Sequence, residues 1–178
     1  MIVILEGPDA VGKSTQLLNI QPLLSDKPLH VMHYMAIKGV DDVRSYSEKM
    51  YNQMFDILST NYYKSNFILD RSHIGEVVYS PMYRDYDGSY VYDIEKKYQG
   101  NHRFWDEVYL ITLIDEPSNL IARDDGLSFS VELDKKTCEI EAFCDAHMES
   151  RIEHKKLLNI KNKTPDEVFT EIREFLDV

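Results

Sequence analysis

The chain opens on an apolar run, Ile2-Val3-Ile4-Leu5, that leads straight into Gly7-Pro8-Asp9-Ala10-Val11-Gly12-Lys13-Ser14. This stretch matches G-x-x-x-x-G-K-[ST] in full, and a helical pattern from Lys13 to about Ile20 follows it. A buried strand, a tight loop and a helix are thereby required in succession, which commits the chain to a sheet with helices packed upon it. The spacing has a chemical reason. Glycines let the backbone from Gly7 through Ala10, Val11, Gly12, Lys13, Ser14 and Thr15 curl so that its N–H groups point inward, and the helix start adds its positive end. Such a cradle holds the phosphates of a nucleotide, with Lys13 reaching the β- and γ-phosphates of ATP and the Ser14 hydroxyl placed on Mg²⁺. Asp9 is the odd residue of the loop. A carboxylate here works against anion binding, so it points to a role with an acceptor sugar or an incoming nucleophile; the plainer reading is a carboxylate facing water.

Further along, short apolar runs alternate with longer helix-patterned segments. Strands are expected at Met1–Glu6, Leu29–Met35, Asn66–Asp70, Glu107–Asp115 and Leu157–Ile160, several of them apolar on both faces. Asp41 and Asp42 can cap a helix with an apolar face of Val43, Tyr46, Met50, Met54, Ile57 and Leu58. A long helix is expected from about Val131 to Lys156, with Ile140, Phe143, Met148 and Ile152 on one stripe. Thr164-Pro165-Asp166-Glu167 reads as a capping box with Pro at the first helical position, ahead of Val168, Ile172, Phe175 and Leu176. The alternation predicts an α/β fold, a doubly wound parallel sheet of about five strands with helices on both faces, and a length of 178 residues fits one domain spanning 1–178. In such a sheet the ligand lies at the carboxyl ends of the strands.

The chemistry-bearing residues follow the strands as that rule requires. Asp70 and Arg71 stand at the end of the third run, where Asp70 can hold Mg²⁺ through water and Arg71 can clamp phosphoryl oxygens; a structural Asp–Arg pair is the bland alternative. His73 reads as a helix-start or packing histidine. Glu76, Tyr79, Tyr83 and Arg84 can line an acceptor pocket, although with 12 tyrosines in the chain a packing role is as good a reading for each of the two. Arg44, on the helix after the second strand, is a weaker candidate for an acceptor phosphate. Arg123 ends a short helix and opens a polar, Gly-containing loop at about 122–130. As a lid, that loop would bring a cation to the transferring phosphoryl group and exclude water.

The formal net charge of −11 argues against polymeric nucleic acid as a general partner, because such contacts rest on Lys and Arg neutralising phosphates. A mononucleotide in a locally positive pocket is compatible with it. No apolar run approaches the ~20 residues that a membrane span needs. With no basic flank or cleavage site ahead of the first strand, a cytoplasmic location is expected. Cys138 and Cys144, six apart on a helix, fall on different faces and read as reduced packing residues.

Leu5-Glu6-Gly7-Pro8-Asp9-Ala10-Val11-Gly12-Lys13-Ser14-Thr15-Gln16, Asp70-Arg71 and the Arg123 loop, taken together, resemble the thymidylate kinase branch of the P-loop nucleoside monophosphate kinases. The resemblance implies ATP- and Mg²⁺-dependent phosphoryl transfer to a deoxynucleoside monophosphate, dTMP or a related, 5-modified pyrimidine. It implies that Lys13, Arg71 and Arg123 surround the transferring group, that Ser14 and Asp70 serve the metal, and that Asp9 meets the acceptor. It also implies a homodimer. The chain is shorter than typical cellular members, which suggests a virus-encoded version working in a host cytoplasm, and it lacks the family's Glu-Pro-Gly-rich segment after the second strand. Asp70-Arg71-Ser72 resembles the deoxynucleoside kinases as well. Those enzymes need a general base for a sugar hydroxyl and supply it as a carboxylate just after the second strand. Here Tyr, Met and Ala follow His33, with no Asp or Glu until Asp41, which favours an acceptor that is already anionic. A kinase acting on a 5-hydroxymethyl pyrimidine in DNA and a non-enzymatic nucleotide switch are the remaining alternatives.

Overall fold

The computed structural model describes residues 1–34 and 40–178. Five strands form one sheet: β1 (Ile2–Glu6), β2 (Leu29–His33), β3 (Asn66–Asp70), β4 (Val108–Ile114) and β5 (His154–Asn159), in the order β2-β3-β1-β4-β5. Every neighbouring pair runs parallel. The central strands β1 and β3 are buried at every position, as a sheet covered on both faces requires.

Eight α-helices are seen among the described residues: α1 (Lys13–Ile20), α2 (Val43–Asn61), α3 (Ile74–Tyr83), α4 (Tyr90–Tyr98), α5 (His102–Trp105), α6 (Pro117–Ala122), α7 (Leu133–Glu149) and α8 (Pro165–Leu176). One core joins Ile2, Ile4, Leu69 and Leu110 to Phe55, Val78, Ile94, Phe104 and Phe143 from α2, α3, α4, α5 and α7. The other joins Val3, Leu5, Ile68, Ile111 and Leu113 to Leu17, Leu120 and Ile172 from α1, α6 and α8. Side chains that alternate along one strand thus feed two cores. Because β3 lies beside β1, with Leu5 opposite Asp70, the turn after β3 emerges next to the loop after β1.

Several local expectations hold. Asp42 caps α2 by accepting from the Ser45 amide (2.9 Å). Thr164 and Glu167 form the reciprocal capping box, with Pro165 at the first position of α8. Others need correction. The inward face of α2 is Ser47, Tyr51, Met54, Phe55 and Leu58, while Tyr46 and Ile57 are exposed. The stripe is turned because Phe55 fits among His73, Tyr98, Phe104 and Trp105. Helix α7 is shorter than the 131–156 span and buries Lys136, Glu139, Phe143, Ala146 and His147, leaving Met148 exposed and Ile152 beyond its end. An inward-facing ion pair, Lys136 Nζ with Glu139 Oε2 (2.9 Å), defeats a search for apolar residues alone. Strand β5 begins at His154, in residues the longer helix would have taken, and β2 is described to His33; Met35, its expected last residue, lies outside the described residues. Among the described residues no helix is long and apolar enough to cross a membrane, and both cysteines are free.

Candidate functional site

The loop after β1 is shaped by backbone that few residues tolerate. Gly7 has φ +133°, and a Cβ there would collide with the carbonyl oxygen of Leu113. Ala10 and Gly12 also lie at positive φ (62° and 91°), so the chain curls tightly before α1 begins. Gly12 is the N-cap of α1 and no acidic residue sits in its first turn, which keeps the helix start attractive to anions. Ser14 and Thr15 are exposed there.

Lys13 is buried, and its ammonium donates to the carbonyls of Gly7 (2.8 Å) and Pro8 (2.6 Å). Burial, then the positive charge of Arg71, lowers its pKa to about 8, with Asp9, Asp70 and Glu6 opposing the shift. These charges therefore act on one point, although they come from the first and third strand ends. Arg71 reaches the loop from a left-handed residue (φ 68°), a backbone cost of about 1–2 kcal/mol tolerated directly after β3. Its guanidinium pairs with Asp9 and lies 5.9 Å from the ring centre of Tyr79. Asp70 accepts from His33 Nδ1 (2.9 Å) through Oδ2, while its Oδ1 is buried without a partner among the described residues.

Glu6 holds this turn in place, and sequence reasoning assigned it no role. Fully buried, its Oε1 accepts from the Ser72 amide (2.7 Å), the Ser72 hydroxyl (2.8 Å) and the Gly75 amide (3.3 Å). A carboxylate closing an otherwise apolar strand was the available signal. His73 is the N-cap residue of α3 and is buried against Glu95 (2.8 Å), in keeping with a packing histidine.

The acceptor-pocket candidates divide between two clusters on α3. Glu76 accepts from Arg84 (2.6 Å), from the Tyr90 hydroxyl (2.9 Å) and from the Tyr86 hydroxyl, and Arg44 lies over the Tyr90 ring at 5.8 Å. The loop carrying Tyr86 approaches because Gly88 sits against the backbone of Glu76, where a Cβ would clash. Tyr86 and Tyr90 join this cluster with no motif to announce them. Tyr79 belongs to the other cluster, donating to Glu139 (2.6 Å), which in turn pairs with Lys136. Tyr83 stacks on Phe129 from the loop before α7 (ring centres 4.7 Å apart), and burial pushes its hydroxyl up to about 12.

Arg123 pairs with Asp115 at the end of β4 and donates through Nε to the Asn119 carbonyl (3.2 Å). Its partners here are thus on its own strand–helix unit, and Lys13, Asp9 and Arg71 are not among them.

Magnesium takes hard oxygen donors and keeps much of its water. The exposed Ser14 hydroxyl and the unpartnered Asp70 oxygen fit that requirement. No group of three or more His, Cys, Asp or Glu side chains able to cage a metal occurs among the described residues, so a metal here would depend on phosphate oxygens and water.

No family model matches the sequence, and no curated protein sequence does either. Solved structures do match in shape. The YorR protein of Bacillus subtilis, in complex with phosphorylated GDP, superposes with a TM-score of 0.69 at 20% identity, covering 99% of this chain and 96% of its own. Thymidylate kinase from Candida albicans gives 0.60 at 14%, covering 99% and 90%. Deoxyadenosine kinase from M. mycoides with bound dATP gives 0.56 at 12%, covering 100% of both chains. The chain has the fold of the P-loop nucleoside and nucleotide kinases.

Proposed function

We propose that the protein transfers the γ-phosphoryl group of ATP, with Mg²⁺, to a deoxynucleoside monophosphate, dTMP or a related 5-modified pyrimidine nucleotide, giving the diphosphate. The observation that carries this reading is the convergence of Lys13, Arg71, Asp9 and Asp70 around the positive start of α1. The shared fold with nucleotide kinases supports it. Phosphoryl transfer needs little covalent help from a protein; positioning and charge stabilisation supply most of the rate.

In this account the triphosphate lies along the amides of residues 7–15. Lys13 exchanges the Gly7 and Pro8 carbonyls for β- and γ-phosphate oxygens. Mg²⁺, held by Ser14 and by Asp70 through water, would neutralise phosphate charge. Arg71 turns from Asp9 to the acceptor phosphate, and the released Asp9 carboxylate meets the acceptor sugar. An acceptor phosphate oxygen then forms the new bond to γ-phosphorus as the β,γ-bridging bond breaks and ADP leaves. That oxygen is already anionic, so no general base is required. Glu76, Arg84, Tyr79 and Tyr83 would line the acceptor side, Arg44, which lies over the Tyr90 ring, would meet the acceptor phosphate, and Arg123 would close from the 122–130 loop once it leaves Asp115. A nucleoside acceptor is the second reading, supported by the likeness to deoxyadenosine kinase over the full length of both chains.

The test is a mass-resolved assay with Mg-ATP and a panel of deoxynucleosides, deoxynucleoside monophosphates including 5-hydroxymethyl-dUMP, and hydroxymethyluracil-containing DNA. A diphosphate from one or a few pyrimidine monophosphates is expected. Product only from nucleosides, or only from DNA, would overturn the monophosphate assignment.

A further inference from the structure

We infer that His33 is a positioning residue for the metal: it holds the Asp70 carboxylate so that one oxygen is presented to the metal at the phosphate loop. The inference rests on the reading of Asp70 as a metal-serving residue.

His33 ends β2 and Asp70 ends β3, and the two are register partners in adjacent parallel strands, so their side chains leave the same face of the sheet. That is the face on which α1 packs, and α1 carries Lys13 and Ser14. An ionised carboxylate only accepts, so the 2.9 Å contact fixes Nδ1 of His33 as the donor and Oδ2 of Asp70 as the acceptor. With Oδ2 committed, the carboxylate cannot spin, and Oδ1 is left buried with no partner among the described residues. A buried oxygen in that state is costly unless something meets it. Asp70 acts electrostatically on Lys13, the first residue of α1, so a cation that accompanies a polyphosphate on this loop would come within its reach. His33 itself has no comparable packing duty, since its side chain is 45% exposed. Strand β3 presents the carboxylate that would meet the metal through water and β2 supplies the group that orients it, in the manner of the hydrogen-bonded outer shell around metal sites generally. Sequence reading passed over His33 because it searched the end of β2 for a carboxylate base.

The experiment measures Mn²⁺ affinity of the protein–ADP complex by electron paramagnetic resonance, beside the Mg²⁺ dependence of turnover at saturating nucleotide. The variants are His33→Ala, His33→Asn and Asp70→Asn. His33→Ala is expected to weaken Mn²⁺ binding about tenfold, the lower end of the loss when an outer-shell group of a metal site goes. ADP affinity without metal should stay at the wild-type value. Asparagine places an N–H donor near the position of Nδ1, so His33→Asn should recover most of the affinity. Wild-type Mn²⁺ affinity in His33→Ala overturns the inference, and so does an equal loss in His33→Asn, which would mark a packing effect. If Asp70→Asn also binds Mn²⁺ as the wild type does, the metal reading of Asp70 fails as well. If Asp70→Asn alone loses the metal, only the role of His33 falls.

Discussion

Lys13 carries the account at the scale of single residues, and its acid–base behaviour makes the account testable without a known acceptor. Burial and the Arg71 charge hold its pKa down at about 8, against 10.5 in the unfolded chain. Between those two values the unfolded chain keeps the proton and the folded one has lost it, so this group makes stability rise with pH through that window. A bound polyphosphate reverses the shift by favouring the ammonium. Binding of Mg-ATP at pH 9 should therefore take up close to ~1 proton, and at pH 7 close to none. Titration calorimetry in two buffers of different ionisation enthalpy reads this number directly. Equal uptake at both pH values would separate Lys13 from the phosphates. Arg123 makes a different prediction. As a lid arginine acting in the transition state, it should lower kcat much more than ATP affinity when replaced by alanine. Weakened ATP binding with kcat unchanged would leave it as a ground-state contact beside Asp115.

At the scale of elements, α7 shows how a charged pair can be part of the core. Lys136 and Glu139 are both about 1% exposed, and Glu139 also receives the Tyr79 hydroxyl from α3. Glu139→Gln should destabilise the fold by about 3–5 kcal/mol, because it leaves an uncompensated buried ammonium. Replacing Lys136 by Met together with Glu139→Gln should return most of that loss, because the Gln carbonyl still accepts from the Tyr79 hydroxyl and no buried ammonium remains; both are read from urea unfolding. A Glu139→Gln variant as stable as the wild type would mean that Lys136 finds water or another acceptor. The same pair explains which elements were legible beforehand. Strands β1 and β3, helix α1 and the α8 capping box announce themselves through apolar runs, glycine spacing and local side-chain chemistry. The inward faces of α2 and α7 do not, since Ser47, Lys136 and Glu139 look like solvent residues until their partners are known. The site divides in the same way. Gly7 to Ser14 and Asp70-Arg71 stand in contiguous motifs, whereas Glu6, His33, Tyr86 and Tyr90 act through contacts set by strand order and by the loop around Gly88.

For the whole molecule, the net charge of −11 suits a small anion held at one place, by Lys13, Arg71 and the amides at the start of α1, where Arg71 must first leave Asp9. Long nucleic acid would meet repulsion over most of the surface, so a DNA acceptor should give no product in the panel assay. The central claim is that the phosphate loop moves a phosphoryl group to an acceptor instead of merely binding or hydrolysing ATP. The most direct measurement follows ATP labelled at the γ-phosphorus through single turnovers, with the pyrimidine monophosphate from that panel, in the wild type and in a Lys13→Ala variant whose circular dichroism matches it. The account predicts that the label appears in the nucleoside diphosphate, one for each ADP formed, and that Lys13→Ala stays folded and transfers none. Label released only as inorganic phosphate, at a rate that ignores the acceptor, would contradict it, and so would turnover retained in the variant.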